Sequence, residues 1–106
     1  MIKISIAGDL CSRDRGAEVI QKGDYSQYFK AVKDILEDCD YSLVNLECPI
    51  IDTARPIKKQ GPNLKAPQKI INLIKYCGLD GVTLANNHFY DYGDDGVIST
   101  INICKK

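Results

Sequence analysis

The stretch YSLVNL (residues 41–46) is a short apolar run that ends just before Pro49. A run of this length, bounded by a proline, is typical of a buried strand. Similar runs lie on either side of it along the chain, IKISIA at residues 2–7 and GVTLA at residues 81–85. The sequence therefore predicts three short buried strands.

Helical periodicity lies between and after these strands. Apolar residues recur at helical spacing in residues 28–38 and 67–76, and Gly78 supplies a stop for the second of these helices. A third helical pattern begins near Asp94 or Asp95, either of which is suited to cap it. The order β-α-β-α-β-α predicts an α/β fold with a parallel sheet and right-handed crossovers.

The connection at residues 48–66 is long, contains two prolines and shows no periodicity. Connections of that length are usually functional or mobile. A sheet of three strands is narrow, and parallel sheets normally have both faces covered. We therefore expect residues 1–106 to form a single, truncated domain. It would be either the N-terminal portion of a larger protein or a module that pairs with another copy or with a complementary second half.

Composition excludes several classes of function. The 106 residues include 14 Lys and Arg against 14 Asp and Glu, so no basic surface suggests nucleic acid as a partner. No apolar run reaches membrane-spanning length, and we expect neither a signal peptide nor an anchor. The five cysteines include no CxxC pair, which favours reduced thiols and a cytoplasmic location.

Polar residues follow the predicted strands where each strand ends. Asp9 comes after the first strand, Glu47 ends the second, and Asn87 and His88 follow the third. Because the carboxyl ends of parallel strands meet at one edge, these side chains are expected to lie near one another. Two carboxylates, an amide oxygen and an imidazole suit Mn²⁺, Zn²⁺, Fe²⁺ or Mg²⁺. The pattern predicts a divalent metal site.

Each of these residues also has a purely structural explanation. Asp9 and Asn87 are common in turns, Glu47 is typical of an exposed strand end, and a lone histidine is more often a satisfied surface or core residue. The segment DYGDDG (residues 91–96) lacks the spacing of a calcium loop. The metal hypothesis depends on the agreement of all three strand ends on one edge.

Three blocks of the chain resemble a known family in order and spacing. They are ISIAGDL (residues 4–10), DYSLVNLECPI (residues 40–50) and GVTLANNHFYDYGDDGVIST (residues 81–100). They resemble the CapA/PgsA-like family of capsule and poly-γ-glutamate biosynthesis proteins, within the calcineurin-like metallophosphoesterase superfamily. The resemblance implies the N-terminal half of a metallophosphoesterase-like layered fold, with a phosphoester or an anionic polymer as substrate.

The resemblance also implies roles for individual residues. Asp9, Glu47, Asn87 and His88 match the family's metal ligands. His88 would act near the leaving-group oxygen, and Asp91 would orient it. Two metals would generate hydroxide and clamp a phosphoryl displacement. However, His88 is the only histidine of the chain, and four ligands cannot fill two coordination shells. We expect the site to be incomplete and the chain to be inactive alone.

Two other functions compete with this one. In the first, the chain is a non-catalytic assembly or polyanion-binding module of an exopolymer system, whose long connection offers Lys58, Lys59 and Lys65. Measured phosphatase activity that depends on Asp9 and His88 would exclude it. In the second, the chain is a nucleotide-binding α/β domain, but residues 8–13 make a poor phosphate-binding loop.

Overall fold

Seven elements follow one another in the computed structural model, which describes residues 1–106. They are β1 (Ile4–Leu10), α1 (Asp14–Lys22), α2 (Tyr25–Glu37), β2 (Tyr41–Leu46), α3 (Ile70–Tyr76), β3 (Gly81–Thr83) and α4 (Gly93–Cys104). The strands form one sheet in the order β1-β2-β3, and both pairings are parallel. The predicted α/β class with a parallel sheet is confirmed.

The central strand, β2, has the bounds that its sequence predicts. Its residues alternate between the two faces of the sheet, with Ser42, Val44 and Leu46 buried on one side. The flanking strands differ from the prediction. β1 runs to Leu10 instead of ending at Ala7, and β3 has three residues instead of five.

A bulge in β1 decides which residue faces the neighbouring strand. Ile6 pairs with Leu43 and Asp9 pairs with Asn45, so β1 has one residue more than β2 between these pairs. Without the extra residue, Gly8 would stand opposite Asn45. The bulge therefore turns Asp9 to the same face as Asn45. The prediction placed Asp9 after the strand, whereas it lies within the strand.

The helix α1 was not predicted, and the element order is β-α-α-β-α-β-α. Only Val19 and Ile20 of its nine residues are buried, so the apolar face of this helix is short. Gly23 ends the helix in the left-handed conformation at φ 74°. The helix contributes Ile20 to the core cluster beneath β2.

The ends of the other helices differ from the predictions by a few residues. α2 begins at Tyr25, and α3 begins at Ile70 because Pro67 starts a turn whose carbonyl accepts from the Ile70 N–H at 3.0 Å. Gly78, at φ 69°, follows the end of α3 as predicted. α4 begins at Gly93, which places Asp94 and Asp95 in its first turn. There their negative charges interact favourably with the helix dipole, and neither residue is the N-cap of the helix.

The two faces of the sheet have different surroundings. The face of Val44 and Leu46 packs against the mutually contacting helices α1, α2 and α3. The opposite face carries Ile4, Ile6 and Tyr41, which are all exposed, Ile6 at 77%. The predicted stripe of α2 is also only partly used, since Ile35 is 67% exposed. Apolar surface is thus left uncovered on β1 and α2.

The long connection between β2 and α3 is firmly held at both ends. Ile50 and Ala66 form an isolated parallel bridge and are fully buried. Thr100 of α4 accepts the Ile50 N–H at its Oγ1 (2.8 Å) and donates to the Gly96 carbonyl (2.7 Å). The two ends of the connection are therefore part of the folded core. None of the four helices has the length and hydropathy to cross a membrane.

Candidate functional site

Side-chain hydrogen bonds join the carboxyl ends of the three strands. Asn45 of β2 donates from Nδ2 to Oδ1 of Asp9 at 2.7 Å. Its Oδ1 accepts from Thr83 Oγ1 (3.0 Å) and from Asn86 Nδ2 (3.2 Å). Asn45 therefore links β1, β3 and the turn that follows β3. This network lies at the edge where the sequence predicts a site.

Asn86 fixes the turn that carries the next two residues. Its Nδ2 also donates to the carbonyls of Leu46 (2.8 Å) and Leu84 (3.3 Å), and its Oδ1 accepts the His88 N–H at 3.0 Å. Asn87, between them, is exposed. Asn86 thus holds the backbone of His88 against the end of the central strand.

The His88 imidazole is bonded to Asp91. Its Nδ1 lies 2.7 Å from Asp91 Oδ2, and the Asp91 N–H donates to the His88 carbonyl at 3.0 Å. Asp91 is only 1% exposed, whereas the imidazole keeps a small exposed fraction. The structure therefore brings these two residues together as the predicted orienting role requires, and the role itself stays a prediction.

Asp91 also holds the middle of the long connection. Its Oδ1 accepts from Lys59 Nζ, and its Oδ2 accepts the Leu64 N–H at 2.7 Å. Its main-chain carbonyl accepts the Ile57 N–H (2.9 Å) and Asn63 Nδ2 (3.0 Å). One buried aspartate thus positions both the imidazole and residues 57–64.

The hydrogen bonds of Asp91 determine its charge and the tautomer of His88. Burial pushes the pKa of Asp91 upward, but hydrogen bonds from Lys59, the Leu64 N–H and His88 outweigh it, and the pKa lies below its ordinary value. An ionised carboxylate only accepts, so His88 Nδ1 must carry the proton. Both side-chain contacts of the ring are at Nδ1, which leaves the Nε2 lone pair available.

The remaining predicted ligands lie along the edge without converging. Asp9 and Asn87 are exposed and Glu47 is half-buried. None of the six salt bridges of the chain involves Asp9 or Glu47. No three of the His, Cys, Asp and Glu side chains are grouped closely enough to hold a metal ion.

Burial disfavours the thiolate form of two cysteines that follow β1 and β2, Cys11 and Cys48. Both are free. Burial raises the pKa of the Cys48 thiol to about 12 and also raises the pKa of Cys11. A thiol binds metal as the thiolate, which these environments disfavour.

Sequence reasoning missed Asn45 and Asn86 and misjudged Lys59. Asn45 interrupts an apolar strand, and asparagine is depleted in strands, which was an available signal. Asn86 was not named as a site residue, although it directly precedes the predicted ligand Asn87. Lys59 was assigned to a polyanion contact, whereas it pairs with Asp91. No local pattern distinguishes it from its exposed neighbour Lys58.

Comparisons with known proteins identify relatives of the chain. A profile of the family described as "Bacterial capsule synthesis protein PGA_cap" matches residues 3–106. The capsule biosynthesis protein CapA of Bacillus anthracis is 27% identical over 108 residues, a match that covers 99% of this chain and 26% of that protein. The chain thus spans about a quarter of the length of the curated relative that it matches.

Proposed function

The chain belongs to the bacterial capsule synthesis protein family, and we propose that it serves capsule synthesis through a phosphoester-handling site at the carboxyl ends of its strands. One observation carries the proposal. A single imidazole is held through Nδ1 by a buried, ionised aspartate, which leaves its Nε2 available beside the joined strand ends. An imidazole oriented in this way is suited to exchange a proton with a phosphoester oxygen.

In this proposal each residue of the chain has a separate task. His88 uses the Nε2 lone pair either to exchange a proton with the substrate or to bind a metal, and Asp91 keeps the ring orientation and the tautomer in both cases. Asn45 and Asn86 keep the end of β2 and the turn after β3 in register. Asn87, whose amide is exposed, is placed to contact a substrate oxygen. The substrate class is a phosphoester or an anionic polymer.

The metal-binding part of the proposal concerns a partial ligand set. Asp9, Glu47, Asn87 and His88 offer two carboxylates, one amide oxygen and one imidazole, which suit Mn²⁺, Zn²⁺, Fe²⁺ or Mg²⁺. They do not converge within this chain, so we propose that groups outside it complete the centre. The matched relative is long enough to supply such groups, because only 26% of its length corresponds to this chain.

A second function, polyanion binding without catalysis, depends on the exposed cations of the long connection. Lys58 and Lys65 are exposed. Lys65 is partly engaged, since its Nζ donates to the Asp52 carbonyl (3.1 Å) and lies 5.5 Å from the Tyr92 ring centroid. The pairing of Lys59 with Asp91 removes one of the three lysines on which this hypothesis depends.

Metal titration of the purified chain with hydrolysis of a generic phosphodiester tests the proposal. We expect weak binding of Mn²⁺, with a loss of about tenfold or more in affinity in Asp9→Asn and His88→Asn. Asp95→Asn, which changes an exposed aspartate of α4, is the matched control and should bind as the wild type does.

Three outcomes would count against parts of the proposal. Mn²⁺ binding that both site variants leave unchanged would exclude the strand-end site. Tight stoichiometric binding of Mn²⁺ with rapid hydrolysis of the phosphodiester would exclude the proposal that this chain supplies only part of the ligands. Retention of poly-γ-glutamate that is lost in Lys58→Met, without metal dependence, would favour the second function.

A further inference from the structure

The side chain of Lys59 is directed away from solvent, unlike its neighbours. Lys58 and Gln60 are exposed, but the side chain of Lys59 keeps only 22% of its accessible surface. Its ammonium group donates to Asp91 Oδ1 and lies 3.3 Å from His88 Nδ1. Withdrawing an ammonium group from water is unfavourable unless an opposite charge compensates it, and the buried carboxylate of Asp91 does so.

The two oxygens of Asp91 have different partners. Lys59 is the side-chain partner of Oδ1, whereas Oδ2 accepts from the Leu64 N–H and from His88 Nδ1. The torsion that turns a carboxylate is soft and roughly two-fold, so it does not fix the group by itself. Lys59 on Oδ1 and the Leu64 N–H on Oδ2 therefore together fix the plane of the carboxylate, with one oxygen directed at His88 Nδ1.

We propose that Lys59 is a positioning residue for His88, which acts by holding Oδ1 of Asp91 so that Oδ2 keeps the imidazole proton on Nδ1. The inference rests on the proposed function, because it assigns Lys59 to the site in which His88 exchanges a proton. Lys59 does not act on a substrate directly. It acts through Asp91, and the effect on His88 is to leave the Nε2 lone pair free.

The position of Lys59 also links the imidazole to the long connection. Ile57, Asn63 and Leu64 all contact Asp91 through hydrogen bonds that involve a backbone group. Lys59 adds the only ionic contact of this segment with Asp91. A displacement of residues 57–64 would therefore be transmitted to the imidazole through Asp91.

The tautomer of the single histidine gives a direct test. Long-range ¹H–¹⁵N correlation spectra of the ¹⁵N-labelled, metal-free chain report which ring nitrogen carries the proton when the imidazole is neutral. We expect the Nδ1–H form in the wild type and in Lys59→Arg, which keeps a charged donor. In Lys59→Met we expect the Nδ1–H preference to be lost towards the Nε2–H form. Lys58→Met is the matched control and should give the wild-type spectrum.

A purely structural role would produce a different pattern. If Lys59→Met lowered the unfolding midpoint but left the Nδ1–H tautomer unchanged, the positioning role would be overturned. Should that variant not fold, the contact is tested in the wild type by a nuclear Overhauser effect between the Lys59 Hε and His88 Hε1 protons. Its presence would support the contact and its absence would overturn the proposal. Both experiments use metal-free protein, so their result is separate from the outcome of the metal titration.

Discussion

His88 Nδ1 lies 2.7 Å from Oδ2 of Asp91, a residue three positions further along the chain and almost completely buried. The same aspartate accepts hydrogen bonds from Lys59 and from the backbone of the long connection. A local turn and a distant loop therefore meet at one carboxylate. The contacts that hold the long connection in place are therefore the same ones that orient the imidazole.

Asp91→Asn should destabilise the chain by about 3 kcal/mol, because it leaves the Lys59 ammonium without a counter-charge in a largely buried position. Asp95→Asn alters an exposed residue and should change the free energy of unfolding by about 0.5 kcal/mol or less. Urea unfolding of both variants measures the difference. Equal stabilities for the two variants would show that Asp91 does not stabilise the long connection through Lys59.

Thr100→Val should cost about 1–3 kcal/mol, because the buried Ile50 N–H loses its acceptor while the volume is kept. Thr53→Val is the control, since Thr53 is exposed on the same long connection. Thermal or urea unfolding compares the two. If Thr100→Val were as stable as the wild type, the connection would not depend on this bond to α4.

The two faces of the sheet should respond differently to truncation. Leu46→Ala removes a fully buried side chain from the covered face and should cost about 2–5 kcal/mol. Ile6→Ala removes a side chain that is 77% exposed on the other face and should cost less than about 1 kcal/mol. A comparable loss of unfolding free energy in both variants would mean that the Ile6 face is covered in solution.

Cys48 should make the chain less stable in alkali. Burial raises the pKa of its thiol from the ordinary 9.0 to about 12 in the folded state. Below the lower value the thiol is protonated in both states. Between the two values the unfolded chain loses the proton while the folded chain keeps it, so the free energy of unfolding falls as pH rises.

Cys48→Val isolates this contribution from that of the other thiols. Urea unfolding at about pH 8 and about pH 10.5 should show a smaller alkaline loss in the variant than in the wild type, because valine cannot ionise. An identical alkaline loss in the two proteins would contradict the raised pKa of Cys48.

The sequence was sufficient where a pattern is local. YSLVNL alternates between a covered and an open face and has the bounds of β2. The helix α1 was missed because only Val19 and Ile20 of its residues need to be buried. The bulge that turns Asp9 towards Asn45 depends on pairing between strands and has no local signal.

The site residues could likewise be predicted only where the signal is local. Asp91 was identified as a partner of His88 from the resemblance to the capsule family, and the two residues lie three positions apart in the chain. Lys59 was not, because it reaches Asp91 across 32 positions through a connection without periodicity. Contacts of that kind are set by tertiary packing, and a lysine in a polar segment is otherwise typical of a solvated loop.

Paramagnetic broadening by Mn²⁺ in the ¹H–¹⁵N spectrum of the full chain tests the central claim, a cation-binding edge built from the strand ends, most directly. We expect the signals of Asp9, Glu47, Asn87 and His88 to broaden first, and His88→Asn to weaken the effect. Exposed acidic residues of α2 such as Asp34 should keep sharp signals at the same Mn²⁺ concentration. Broadening spread evenly over exposed carboxylates, with the strand-end signals no more affected than Asp34, would contradict a cation-binding site at the strand ends.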